Sequence, residues 1–351
     1  MRSTIMLTGD VNLLGVEDVT VPFRSVRETF AKADCVFGNL ECCLYDPVVP
    51  RGAMMPDLVS GYDGFWAPTK NAPALTHAGF HCVGNANNQN YGHKAIVASN
   101  ECLDKLGMPH VGTGVNKAAA RASAVVTRNG TRFGFLQRTS QYWPNHHEAT
   151  EHSPGVAVIK VHTAFEPVYY KDGTLPPNRP GLPPKIHTWV DKKYMEEFQS
   201  DIRDLRARSD IVVSSHHMGH KGDILDFQSE IAHAAIDAGA DVVMAHAEHY
   251  PLGIEIYKGK PIFYGLGSFC FIKSNKRYLK GWVGVMPRVS FEDNKVARIA
   301  FSLVRQLDST EIVIRPVAEE AAALAEIQKY SDRFKTKMEL AGDEVIVTAG
   351  N

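Results

Sequence analysis

Short apolar runs recur along this chain, and several of them stop at a residue with metal-binding chemistry. Residues 3–8 (STIMLT) run into Gly9-Asp10, the pattern of a buried strand that delivers Asp10 at its C-terminal end. Residues 35–40 (CVFGNL) read as a second strand and deliver Glu41. Residues 81–84 form a third that opens into an Asn-rich loop, NANNQNYG. The run 210–215 (DIVVSS) ends in His216-His217, and 241–245 (DVVMA) ends in His246. Helical spacing is expected over 23–33, 71–79, 94–106, 192–208, 226–238 and 318–330, with Gly239 closing the fifth. Strands are expected at 110–112, 122–127 and 132–137, in a hairpin with Lys258-Gly259-Lys260 near its turn, and onward to about 315. Strands alternating with helices predict an α/β fold built on layered sheets.

Residues 139–190 break this rhythm. They hold many of the prolines and several aromatics, among them Trp143, Tyr169 and Tyr170. A long stretch of this kind is functional or disordered, and its aromatics favour an ordered excursion near the active site. Residues 1–315 then form the main domain. Residues 316–351 form a C-terminal helix and tail whose last part, 331–351, is weakly determined.

Composition excludes more than it identifies. The 351 residues are 44% hydrophobic and 22% charged, with a formal net charge of −1, which is ordinary for a globular chain. The basic stripe that nucleic acid requires is absent, so a small-molecule partner is expected instead. The first apolar stretch is interrupted at Thr8-Gly9-Asp10, unlike a signal peptide, and no run is long enough to span a membrane. The six cysteines lack zinc-ribbon spacing and read as reduced thiols, so a cytoplasmic protein is expected, with a homodimer as the default assembly.

The chemistry lies in a coincidence of strand ends. In open α/β sheets, ligands gather beyond the carboxyl ends of the strands. Asp10, Glu41, His217 and His246 all fall there, with the Asn85–Asn88 run as a fifth contributor and His249 three residues after His246. Each signal is weak alone, and their coincidence carries the argument. Mixed carboxylate, amide and imidazole ligands suit one or two divalent transition metals, with Mn, Fe, Zn and Co all open. Such a site activates water near neutral pH, and a carboxylate such as Glu41 could bridge two cations.

These residues also resemble a known family. Residues 239–269, GADVVMAHAEHYPLGIEIYKGKPIFYGLGSF, are similar to the signature of the CapA-like, poly-γ-glutamate capsule biosynthesis family. Gly9-Asp10-Val11-Asn12-Leu13, Gly38-Asn39-Leu40-Glu41, residues 102–114 and Val213–Gly219 resemble its other motifs in order, over roughly residues 4–272. The resemblance implies a four-layer αββα sandwich of the metallo-dependent phosphatase type. It implies a dinuclear site with Asp10, Glu41, Asn88 or a neighbour, His217, His246 and His249 as ligands. The implied activity is that of a metal-dependent hydrolase, with metal-bound hydroxide attacking a small-molecule ester, lactone or amide. A phosphoesterase, with Arg138 and Lys221 the nearest cations in sequence, and a non-catalytic binding protein are the alternatives.

Three departures from the family pattern stand out. Gln89 occupies the place of the His that protonates the leaving group in related phosphoesterases, and His93, His216, His220 or one within 146–152 are the candidates to substitute for it. Ala247-Glu248 replaces His-Pro, which makes Glu248 a candidate ligand or general base. Ser268 replaces Asn.

Overall fold

The computed structural model describes residues 2–46, 66–167, 174, 183–219, 222–271 and 282–350. The strands that matter to the site are β1 (Arg2–Asn12), β2 (Cys35–Leu40), β3 (Cys82–Gly84), β4 (Thr131–Thr139), β5 (Ile211–His217), β6 (Val242–His246), β7 (Ser268–Phe271), β8 (Gly284–Glu292) and β9 (Lys295–Gln306). The helices that pack against them include α1 (Pro73–Ala78), α2 (His93–Lys105), α3 (Lys192–Arg206) and α4 (Asp226–Ala238).

Two sheets dominate the mixed α/β fold. The larger runs Thr336–Ala341, Glu344–Ala349, β9, β8, β1, β2, β3, His110–Val111, with β7 also paired to β1. The smaller runs Ile254–Tyr257, Lys260–Phe263, β6, β5, β4, Ala124–Arg128. β1, β2 and β3 are mutually parallel, as are β4, β5 and β6, so each set presents its carboxyl ends at one edge.

Strand alternation sorts the apolar residues into three cores, because successive side chains point to opposite faces. Ile5 and Leu7 of β1, Phe37 of β2, Phe133 and Phe135 of β4, Val213 of β5 and Met244 of β6 share one core between the sheets. Phe37 and Phe135 stack across it at 4.8 Å. Met6, Val36 and Leu40 instead pack with Leu75 of α1 and Leu103 of α2. Leu136, Val212 and Val243 pack with Phe198 of α3 and Ile231 of α4.

Three expectations change. The helix at 23–33 contracts to Arg27–Phe30: Phe23, Val26 and Phe30 are buried at the expected spacing, but mixed i→i+3 and i→i+4 bonds leave the flanks as turns. The excursion contains an antiparallel ribbon, Val161–Glu166 with Lys185–Val190. Tyr169 and Tyr170 lie outside the described residues. The tail folds as the hairpin Thr336–Ala341 with Glu344–Ala349, and its second strand pairs with β9 at Ala300 and Phe301. Among the described residues, no helix is long and apolar enough to cross a membrane.

Candidate metal centre

The inner faces of the sheets turn from apolar to polar at their carboxyl ends. On β5 and β4 the paired rows run Val213 with Phe135, then Ser215 with Gln137, then His217 with Thr139, and His217 pairs onward with His246. Asp10 is aimed by an irregularity: the register of β1 slips against β2 between Thr8 and Asp10, and against β7 after Asp10. Such bulges re-aim a side chain. The slip needs Gly9, because a Cβ there would fall 1.8 Å from the Gly267 carbonyl oxygen. The Asp10 amide then donates to that same oxygen at 3.1 Å. Glu41 follows β2 directly, and its backbone is pinned by Val11 (2.7 Å) and by the Asn12 side chain (2.7 Å).

Two groups of side chains converge, and Asp10 belongs to both. Ligand atoms of Asp10, His217 and His246 lie within 4.8 Å of one another, as do those of Asp10, Glu41 and His249. His246 Nδ1 is 3.3 Å from Asp10 Oδ1 and 3.0 Å from His217 Nδ1. His249 Nδ1 is 3.2 Å from Asp10 Oδ2, and its Nε2 is 3.9 Å from Glu41 Oε1. Ligands about 2.0–2.1 Å from a tetrahedral cation stand about 3.3 Å apart, so these separations suit metal binding with little rearrangement. Asp10, rather than Glu41, is the carboxylate that both groups share.

From the Asn-rich loop, Asn88 turns its amide toward the cluster, with its Oδ1 2.8 Å from His217 Nε2. Asn87 is spent on other contacts, whereas Asn85 keeps a buried Oδ1 without a hydrogen-bond partner. Asn87 donates to Asn39 Oδ1 and the Leu40 carbonyl while its own Oδ1 accepts from the amides of Gln89 and Asn90. Asn85 donates to Asn100.

Electrostatics expose what the protein alone does not supply. Asp10 and Glu41 are buried, yet Asp10 Oδ2 and both Glu41 oxygens are shielded from solvent without a hydrogen-bond donor. Burying a carboxylate unpaired is costly. Burial pushes Glu41 well above the usual carboxylate range, and the neighbouring Asp10 and Glu248 push it further. Burial also opposes ionisation of Asp10, but His246 and His249 outweigh it and hold Asp10 below that range. Burial, reinforced by His246, holds His217 well below the usual histidine range, hence neutral. Neutral imidazoles and solvent-starved carboxylate oxygens are the donor set that a divalent cation satisfies.

The remaining predicted residues divide. Glu248 lies beside the site, and its carboxylate occupies the space at Gly219, where a Cβ would fall 2.0 Å from Glu248 Cδ. The structure turns His216 away from the cluster. It sits one residue before His217 on β5, so it faces α3, where its ring meets Phe198 edge-on at 5.2 Å and its Nε2 meets Ser214 Oγ at 2.8 Å. His220 lies outside the described residues. Arg138 shares the outward row of His216 and is bound to Asp201. Burial pushes Cys42, adjacent to Glu41, up to about 12, so it is a protonated thiol in the metal-free protein.

Sequence reasoning missed several residues that orient the ligands. Asn39 Nδ2 donates to Asp10 Oδ1 at 2.8 Å. Gln137 Nε2 reaches Asn39 Oδ1 at 2.8 Å and His246 Nε2 at 3.2 Å, while Ser215 Oγ lies 3.0 Å from the same imidazole nitrogen. Ser268 Oγ is 3.2 Å from His249 Nδ1. For Gln137 the signal was available: a polar residue at the inner-face position that ends the apolar alternation Phe133, Phe135.

Comparison with known proteins places these features in a family. Residues 4–273 match the family model for the bacterial capsule synthesis protein PGA_cap. An uncharacterized protein of Sinorhizobium fredii is 26% identical over 71% of this chain and 61% of its own length. A probable polyglutamine synthesis accessory protein of Mycobacterium tuberculosis is 29% identical over 56% of this chain and 47% of its own. The capsule biosynthesis protein CapA of Bacillus anthracis is 26% identical over 74% of this chain and 55% of its own. The chain thus spans about half the length of the curated relatives it matches. The matched segment contains every strand end that builds the cluster around Asp10, and the chain belongs to the bacterial capsule synthesis protein PGA_cap family.

Proposed function

We propose that this protein is a metal-dependent hydrolase acting on a small-molecule ester, lactone or amide. The observation that carries the reading is the pair of ligand groups joined at Asp10, with three buried carboxylate oxygens left without donors. Asp10, His217, His246 and Asn88 would hold one cation, and Asp10, Glu41 and His249 a second. A bound cation supplies Lewis acidity and lowers the pKa of a water molecule toward neutrality. Glu248, beside Glu41, is the candidate proton acceptor. The three apolar cores support reading the fold as a four-layer αββα sandwich of the metallo-dependent phosphatase type.

Leaving-group chemistry narrows the substrate. Gln89 cannot act as an acid where the family has His, and His216 faces the helices. A substrate whose leaving group needs little protonation, such as an activated ester or lactone, tolerates that loss best. Phosphoester cleavage is disfavoured because Arg138, a natural clamp for phosphate, is engaged by Asp201 on the far face. The names of the relatives support an amide of the glutamyl type as a further substrate class, and the word accessory in one of them supports a binding role without turnover.

The test is the metal content of protein purified without chelator, beside Asp10→Ala and His246→Ala. The expected result is one or two equivalents of transition metal, lost in both variants with the fold intact, and turnover in a screen of esters, lactones and amides. A protein that holds no metal and takes up none of Mn, Zn, Co or Fe overturns the proposal. Metal uptake without turnover of any ester, lactone, amide or phosphoester leaves the binding role.

A further inference from the structure

The segment after β4 straps the Asn-rich loop from outside. Trp143 Nε1 donates to the Asn88 carbonyl at 2.9 Å. The Trp143 amide donates to His147 Nδ1 at 2.9 Å, which leaves the proton on Nε2, and that nitrogen donates to the Asn90 carbonyl at 2.9 Å. Tyr91 closes the contact from the loop side: its hydroxyl donates to the Asn145 carbonyl at 3.0 Å, and its ring meets Trp143 and His147 edge-on at 6.2 and 5.1 Å. Residues 143–147 therefore grip the loop at Asn88, Asn90 and Tyr91, beginning at the very residue whose amide oxygen faces His217.

We infer that Trp143 and His147 are positioning residues that fix the backbone of Asn88 and so aim its side-chain oxygen at His217 and at the cation proposed there. A free asparagine on an eight-residue loop would sample several rotamers. One held at its own carbonyl and two residues later presents its oxygen along one direction. This is the role that outer hydrogen bonds play at metal sites, where losing one lowers metal affinity about 10–100-fold. It also accounts for the half-buried setting of Trp143: its indole N–H is spent on the loop rather than sheathed in a core.

The inference rests on the metal reading for its consequence, and the test separates the two. Trp143→Phe keeps an aromatic ring and removes the N–H. In a titration with Mn²⁺ alone, it is expected to lower affinity for one metal equivalent about tenfold, without changing the melting temperature of the metal-free protein by more than a few degrees. Asn88→Ala is expected to weaken the same equivalent, and the double variant to bind no more weakly than Asn88→Ala, because the two act through one contact. In metal-free protein, the imidazole ¹⁵N resonances of His217 report the hydrogen bond to Asn88 directly. Trp143→Phe should shift them from one tautomer toward a mixture. Unchanged His217 resonances, or additive losses in the double variant, overturn the strap. A wild type that binds no Mn²⁺ removes the metal reading, while the His217 resonances still decide the strap.

Discussion

Two clusters of charge lie on opposite faces of the same small sheet, one residue apart along its strands. On the inner face, Gln137, Ser215 and His217 lead to Asp10, Glu41, His246 and His249. On the outer face, Arg138 reaches Asp201, which also pairs with Arg121 at 2.8 Å; Arg121 in turn meets Glu197 at 3.0 Å, and Lys117 meets Glu197 at 3.0 Å. The outer cluster is closed: each of its cations has a carboxylate and each carboxylate a cation. The inner one is open, with carboxylate oxygens crowded together and imidazoles as their nearest partners. A closed network serves the fold. An open one stores an unfavourable arrangement in the metal-free protein that a cation from outside relieves, which is the usual relation between a functional site and stability.

Substitutions should therefore act with opposite signs on the two faces. The largest effect is expected from Asp201→Ala, which strands the buried Arg138. It should cost about 3–5 kcal/mol in a urea melt while metal content stays at the wild-type value. Equal loss of metal would show that the two faces are not independent.

Acid should come next. Burial holds His147 down to about 4 and His216 to about 3, so each is neutral in the folded protein. An unfolded histidine takes up its proton near pH 6.5. A folded pKa that lies lower contributes stability that is complete above about pH 6.5 and is lost as pH falls toward 4. For His147 alone this amounts to about 3 kcal/mol. Denaturant melts in the presence of a chelator, stepped from pH 7.5 to 4.5, should show that decline; a flat profile would mean that both imidazoles titrate in the fold as they do in the unfolded chain.

The smallest effect carries the sharpest contrast. Glu41→Gln removes a buried carboxyl whose ionised form the cluster disfavours and should stabilise the metal-free protein by about 1 kcal/mol, while weakening metal uptake. A destabilised Glu41→Gln protein would place Glu41 among the structural charges and erase the distinction between the two faces.

Much of this arrangement is readable in the chain itself. β2 and α4 fall within a residue of their expected bounds because Cys35–Leu40 is wholly apolar apart from Asn39, and Gly239 stops the helix. The convergence of these strand ends was legible because buried runs rarely end in Asp, Glu or His again and again by chance. The choice between His216 and His217 was legible too, in part: neighbours on a strand face opposite ways, so only one of them could join His246. What the sequence did not disclose was long-range partnership. Nothing local tells Gln137 that Asn39 and His246 will meet it, or Trp143 that its N–H will find Asn88. The C-terminal hairpin was missed for a different reason. Its strands are largely exposed, so their alternation is polar and weak, and only the register against β9 gives them a fixed place.

The candidate ligands also come from separate sheets: Asp10 and Glu41 from the larger, His217 and His246 from the smaller. His217 and Asn88 alone are 129 residues apart in sequence. Such a site cannot act as a seed for folding, since closing loops of that size precedes any contact that would reward it. A cation bound there would instead act as a late rivet between two finished sheets, slowing their separation far more than it hastens their assembly.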